Sequence, residues 1–169
     1  GQMGRALGLA LASKVYRQKK ADNQFSKDGN EVIFCTIGDA STSEGVFWET
    51  INAAAVQQVP LAVFVYDDGY GSSVPTKYQT TKGSISEALA GFASKKKGEG
   101  ISLYQVDGSS YEDLQEVIST GIEKVRKEHK PAVFHIQKLT QPQGHSTSGS
   151  HERYKSKERL QWEKENDCL

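Results

Sequence analysis

Two spacings of apolar residues alternate along the chain, one helical and one strand-like. Between residues 5 and 19, Ala6, Leu7, Ala10, Leu11 and Val15 recur with helical period, and Gly8 and Ala12 leave room for close packing. Residues 31–37 form a short apolar run with β-branched members, which reads as a buried strand. Phe47, Ile51, Ala54 and Ala55 mark the inner face of a second helix ending near residue 58, and Pro60 returns the chain to a strand over 61–66. Further strand patterns lie at 101–106 and 131–137. Between them Leu114, Val117, Ile118, Ile122 and Val125 trace an amphipathic helix from Ser110 or Tyr111 to Lys127. Residues 84–94 and 155–164 read as two more helices, the last strongly charged.

Polar segments separate these elements. Residues 19–30 hold a turn at Asp28-Gly29-Asn30. Ser41 or Thr42 can cap the second helix, and Ser41/Glu44 and Ser84/Glu87 have the spacing of capping boxes. Residues 67–83, with Gly69, Gly71, Gly83 and Pro75, form a loop of the length usually found at functional sites. Residues 95–100 are a charged turn whose lysines read as a solvated edge, and 138–150 form a Gly/Ser/Gln loop. Strands alternating with helices give an α/β fold with right-handed crossovers between parallel strands, while strand order stays open.

Composition narrows the class. Lys+Arg and Asp+Glu both number 21, so net charge supplies no argument for nucleic acid or an anionic membrane as partner. No apolar run approaches the roughly 18 residues of a membrane span, and no signal-peptide pattern opens the chain. Cys35 lies within a strand pattern and reads as an inert core thiol; Cys168 lies in the polar tail. This usage predicts a reducing, cytoplasmic setting. The chain opens directly on a helix and closes after a charged run. It reads as a single domain, residues 1–169, excerpted from a longer protein.

Both acidic turns follow strand patterns. Gly38-Asp39-Ala40-Ser41 closes the first strand, and Asp67-Asp68-Gly69-Tyr70 closes the second. One crossover would bring Asp39 and Asp68 to neighbouring strand ends, where open parallel sheets bind ligands. Magnesium takes one or two carboxylates and fills its remaining positions with phosphate and water. Backbone N–H groups after Gly38 could approach an anion at the next helix N-terminus. The pair thus reads as a Mg²⁺-bridged phosphate or diphosphate site. Aspartate also starts turns and caps helices on its own account, and spacing alone leaves both readings open.

The surrounding residues carry a resemblance. Gly38-Asp39-Ala40, a helix with Glu49 and Asn52, Val59-Pro60, and a strand ending in Tyr66-Asp67-Asp68 resemble the thiamine diphosphate fingerprint. The segment Asp68-Gly69-Tyr70-Gly71-Ser72-Ser73-Val74-Pro75-Thr76 and the strand end Val106-Asp107-Gly108 are similar to alpha subunits of 2-oxoacid dehydrogenases. Gly144-His145-Ser146-Thr147-Ser148, followed by Tyr154, resembles the active-site loop of the branched-chain (2-oxoisovalerate) type. The resemblance implies the thiamine diphosphate-binding α/β fold, a parallel sheet with helices on both faces. It implies that Asp39 and Asp68 bind Mg²⁺ by side chain and Tyr70 by its carbonyl. Gly38, Ala40 and Ser41 would lie against the diphosphate. His145 would contact the cofactor and assist acyl transfer to a lipoyl-lysine. Gln2 falls where family members bind a structural K⁺.

The implied activity is decarboxylation of a branched-chain 2-oxo acid. The implied partners are a beta-type pyrimidine-binding domain and a transketolase C-terminal domain, separate or fused, in a homo- or heterodimer, and the lipoyl domain of an acyltransferase. In this family the partner's glutamate activates the pyrimidine. Glu44 and Glu49 lie on the helix leaving the diphosphate site and are at the wrong end for that role, so the isolated chain is expected not to turn over. Such enzymes are cytoplasmic in bacteria and lie in the mitochondrial matrix in eukaryotes.

Three departures from the fingerprint matter. Ala40 replaces a glycine, Asp68 replaces an asparagine, and Tyr66 and Gln141 stand where relatives aim arginines at the diphosphate. An extra carboxylate beside a diphosphate is not negligible: unit charges about 4 Å apart interact by roughly 4 kcal/mol at an effective dielectric near 20. Cofactor binding is therefore expected to depend unusually strongly on Mg²⁺.

Other candidates read as structural. His135 alternates within a strand pattern and reads as packed or half-exposed; His129 and His151 read as surface residues. Phe47 and Trp48 read as helix packing and Trp162 as an interface residue. No His/Cys group has zinc spacing, and Ser146 lacks the partners of a hydrolase nucleophile. Two other functions share part of the pattern: a transketolase-like carbon–carbon transferase, which shares the cofactor, and a noncatalytic Mg²⁺-binding receiver-type module, whose acid pair would follow its first strand.

Overall fold

The computed structural model describes residues 1–146 and 151–167. Helix α1 spans Gln2–Lys19 and ends where Lys20 turns left-handed, φ 49°. A small antiparallel hairpin, β1 (Asp22–Asn23) with β2 (Ser26–Lys27), occupies the polar segment after it. Then come β3 (Ile33–Gly38), a 3₁₀ turn over Asp39–Ser43, α2 (Gly45–Gln57) and β4 (Leu61–Tyr66). A second hairpin, β5 (Tyr70–Gly71) with β6 (Val74–Pro75), leads to α3 (Ile85–Leu89). The chain continues through β7 (Ser102–Asp107), α4 (Tyr111–Glu128), β8 (Ala132–Gln137) and α5 (Lys157–Glu165).

The four longer strands form one parallel sheet in the order β3-β4-β8-β7. The expected α/β fold with helices on both faces is what forms. Residues of α1, α2 and α3, among them Met3, Ala10, Phe47, Ile51 and Leu89, pack on one face with Cys35, Ile37, Val63 and Val133. Helix α4 covers the other face, with Val125 among Phe64, Val106, Phe134 and Ile136. The two central strands are buried on both faces, which is why 61–65 and 132–136 are continuous apolar runs broken only by His135.

One aromatic residue from each strand joins a ladder across the sheet. Phe64 pairs in register with Phe134 and Phe134 with Tyr104, while Phe34, in register with Ala62, reaches Phe64 diagonally. Their rings stack with centroids 5.4, 4.8 and 4.9 Å apart. Each such pair is worth about 0.5–1.5 kcal/mol beyond area burial. Helix α4 approaches this ladder through Gly121, where an added Cβ would lie 2.5 Å from the Phe134 ring. Glycine is required there by space, since overfilling a packed core costs about 1–3 kcal/mol.

Three expectations are corrected. Strand β3 is an edge strand of the described sheet: Cys35 and Ile37 are buried, but Phe34 is 55% exposed. The Ser41/Glu44 capping box does not form, because the 3₁₀ turn intervenes and Glu44 itself becomes the N-cap of α2, with no side-chain cap. The Ser84 cap does form, accepting the Glu87 N–H. His129 is buried, not superficial. It ends α4 in left-handed conformation, φ 52°, with Nε2 2.9 Å from the Gly29 carbonyl oxygen. Burial, followed by the nearby Arg17 charge, lowers its pKa.

Candidate functional site

The carboxyl ends of β3 and β4 lie side by side, Gly38 paired with Tyr66. The chain leaves each by an acidic turn. At the first lip Asp39 is 6% exposed; its Oδ1 accepts the Ala40 N–H at 2.8 Å and its Oδ2 the Thr76 hydroxyl at 3.3 Å. Thr42 caps the turn from within by donating to the Asp39 carbonyl at 2.6 Å.

At the second lip the acid pair divides. Asp67 turns inward: Oδ1 accepts the Gly69 N–H at 2.8 Å and Oδ2 lies 2.7 Å from His135 Nε2. Asp68 turns toward the cavity, with Oδ1 accepting the Tyr70 N–H at 3.0 Å. Gly69, at φ +84°, permits this bend. Pro75, opposite Tyr70 in the hairpin, has no N–H, so this pairing does not use the Tyr70 carbonyl.

The hairpin then folds back on the first lip. Besides the Thr76–Asp39 contact, Ser43 donates to the Gln79 carbonyl at 3.2 Å. A Cβ on Gly71 would sit 2.7 Å from the Ala40 Cβ, so only glycine allows this approach. The alanine at the third fingerprint position is thus in contact with the opposite lip.

Together these elements enclose a cavity of about 330 Å³. Gly38, Asp39, Ala40 and Ser41 line it from the first lip, Asp68 and Tyr70 from the second, and His145 from the loop after β8. All seven sequence-expected residues therefore meet in one place. Tyr66 and Gln141 line it too, where arginines were expected, and no Lys or Arg is among its described lining residues. Gln2 lies elsewhere, donating to the Thr36 carbonyl at 3.2 Å. Thr147 and Ser148 of the loop motif, and Cys168, lie outside the described residues.

The cavity is electrostatically unbalanced. Burial, reinforced by Asp67 and Asp68, pushes the Asp39 carboxyl up to about 6. Burial also raises Asp68, with Asp67 and Glu163 adding to the rise and Lys155 opposing it. Two desolvated carboxylates facing one cavity without a lining cation suit a divalent metal, which would relieve both. Among the described residues no three His, Cys, Asp or Glu side chains converge as a metal cluster. The expected donor set of two carboxylates and a carbonyl would leave positions for phosphate and water. Ala40 spends its N–H on Asp39, so an anion would meet the first lip through other groups.

Several supporting residues were missed or underrated by sequence reasoning. Glu163 and Arg159 of α5, with Lys155 just before that helix, brace the second lip, and Ser86 joins His135 behind it. Strand register gives the one available signal: His135 lies beside Val65, near the strand end that carries Asp67. Cys35 is buried, with its thiol pKa pushed up by burial, in keeping with an inert core residue.

Residues 2–169 match the family described as dehydrogenase E1 component. The chain is 30% identical over 162 residues to the mitochondrial 2-oxoisovalerate dehydrogenase subunit alpha 2 of Arabidopsis thaliana, covering 95% of this chain and 30% of the relative. It is 32% identical over 148 residues to the pyruvate dehydrogenase E1 component subunit alpha of Acholeplasma laidlawii, covering 87% and 37%. The chain thus spans about a third of the length of these relatives. Among solved structures, a transketolase from Campylobacter jejuni superposes with TM-score 0.59 at 16% identity, over 80% of this chain and 19% of that one, a likeness of fold.

Proposed function

Because the chain belongs to the dehydrogenase E1 component family, we propose that it supplies the diphosphate-binding half of a thiamine diphosphate- and Mg²⁺-dependent 2-oxoacid dehydrogenase. The observation that carries this reading is the convergence of Asp39 and Asp68 on one cavity that lacks a lining cation. Asp39, Asp68 and the Tyr70 carbonyl would hold the metal, and Gly38, Ala40 and Ser41 would face the diphosphate.

When bound, thiamine diphosphate supplies the electron sink needed to release CO₂ from a 2-oxo acid. The chain's own part is positioning and electrostatics. The carboxylates attract the cation that the diphosphate requires. Asp39 is buried within the first lip, and there metal–ligand attraction is stronger than in bulk solvent. His145, exposed on the loop that lines the cavity mouth, can donate or accept a hydrogen bond at the reacting acyl group. The Gly-His-Ser-Thr-Ser loop favours a branched-chain 2-oxo acid as substrate and a lipoyl-lysine as acceptor. The pyrimidine half of the site would come from a beta-type domain.

The test is artificial-acceptor reduction by the chain assembled with that partner, given 3-methyl-2-oxobutanoate or pyruvate. The assembled protein should turn over the branched acid faster, His145→Ala should lower turnover, and the isolated chain should be inactive. Turnover by the isolated chain would contradict the shared-site reading.

A further inference from the structure

His135 is fully buried in the middle of β8 and has a polar partner on each ring nitrogen. Nε2 lies 2.7 Å from Asp67 Oδ2, and Nδ1 lies 2.6 Å from the hydroxyl oxygen of Ser86 on α3. Ser86 is 1% exposed. The order serine, histidine, aspartate resembles a nucleophile relay, but a serine buried to this degree meets no substrate, so the relay must act on the fold.

It acts on Asp67, whose polar groups are all used internally. Its N–H donates to the Ile136 carbonyl at 2.9 Å, and its carbonyl accepts the Leu139 N–H at 3.1 Å. One carboxylate oxygen faces His135, and the other accepts the Gly69 N–H. Gly69 in turn accepts the Thr76 N–H, and the next residue is Tyr70. Asp67 therefore fixes the bend that presents Asp68 and Tyr70 to the cavity. Without a partner its carboxylate would be a second, competing anion beside Asp39.

We propose that His135 and Ser86 are positioning residues of the metal site. They hold the Asp67 carboxylate away from the cation and leave Asp68 as the acid pair's only metal ligand. This rests on the metal-site reading above and goes beyond it by assigning work to two buried residues that line no part of the cavity.

The test measures Mn²⁺ binding by electron paramagnetic resonance, with thermal melting alongside, on the assembled protein. His135→Ala should weaken Mn²⁺ binding at least tenfold, and Ser86→Ala by a smaller factor of a few. The decisive variant is the double exchange Asp67→Asn with His135→Glu. It keeps one carboxylate in the pair and exchanges the positions of donor and acceptor. The introduced amide donates to the introduced carboxylate, which accepts the Ser86 hydroxyl. Mn²⁺ affinity in this variant should return to within about threefold of the parent, while His135→Glu alone should remain defective.

A drop in melting temperature with unchanged Mn²⁺ affinity in His135→Ala would overturn the proposal. So would a folded double exchange whose affinity stays tenfold weak. Asp68→Ala separates the two claims. If it leaves Mn²⁺ binding intact, the metal-site reading itself fails. If it abolishes binding while the relay variants do not weaken it, only the positioning proposal fails.

Discussion

Arg159 reaches back from α5 to place its Nη2 2.7 Å from the Asp68 carbonyl oxygen, joining residues 91 apart in sequence. Its Nε donates to Glu163 at 2.8 Å, and Lys155 donates to both oxygens of the same carboxylate at 2.8 Å. The Tyr70 ring lies beneath both cations, 5.2 Å from Lys155 Nζ and 5.7 Å from the guanidinium carbon. The second lip is therefore clamped by the helix that follows the His145 loop. The Glu163 carboxylate and the Lys155 ammonium are each 1% exposed. Burial works against Glu163 ionising, but hydrogen bonds from Lys155 and Arg159 prevail and hold its pKa below the usual range.

This clamp predicts an asymmetry. Glu163→Ala leaves a buried ammonium unpaired and should cost about 3–5 kcal/mol in urea denaturation. The double change Lys155→Met with Glu163→Leu removes both charges together and should cost far less, within about 1–2 kcal/mol of the parent. Equal losses in the two variants would show that packing, not charge pairing, dominates here.

Asp39 should carry a stability cost in the metal-free protein. Its carboxyl is raised to about 6 by burial and by its acidic neighbours, so at pH 8 the native state holds a disfavoured charge. Asp39→Asn keeps an acceptor for Ala40 and offers a donor to Thr76. It should raise metal-free stability at pH 8 by about 1–3 kcal/mol and abolish stabilisation by Mg²⁺. Thermal melts of both proteins with and without Mg²⁺ check this; a less stable metal-free variant would count against it.

Acid sensitivity should come in part from the opposite edge of the sheet, at the end of β7. The Asp107 carboxyl is held at about 2 by hydrogen bonds from the Lys138 ammonium and from Ser109. A lowered carboxylate pKa stabilises the fold above its unfolded value of about 4, and that contribution is lost as pH falls toward 2. Lys138 is 63% exposed, so screening leaves only about 0.5–1 kcal/mol. Asp107→Asn should lose that amount at pH 7 and match the parent at pH 2, with the gap narrowing in salt. A gap that persists at pH 2 would assign the effect to the turn itself.

Much of the fold was legible because it is local or periodic. Residues 61–66 read as the strand that forms, and α4 follows its apolar stripe with Ser110 as cap. Asp39, Asp68, Tyr70 and His145 were legible as a group through their motif, and they do meet in one cavity. The Asp67 partners were not, since Ser86–His135 and His135–Asp67 join residues 49 and 68 positions apart with no repeating pattern. Position within the sheet was hidden as well. The run at 31–37 has the composition of a covered strand, and its exposed Phe34 follows from sheet order, which no single strand encodes.

A cation-poor, doubly acidic cavity should bind a diphosphate only through a divalent metal. The direct measurement is a thiamine diphosphate titration of the assembled protein, with and without saturating Mg²⁺, at pH 8. Affinity should fall at least a hundredfold without the metal, about 2.7 kcal/mol. Asp68→Asn, which restores the family's amide, should narrow that gap. Equal affinities with and without Mg²⁺ would contradict the account.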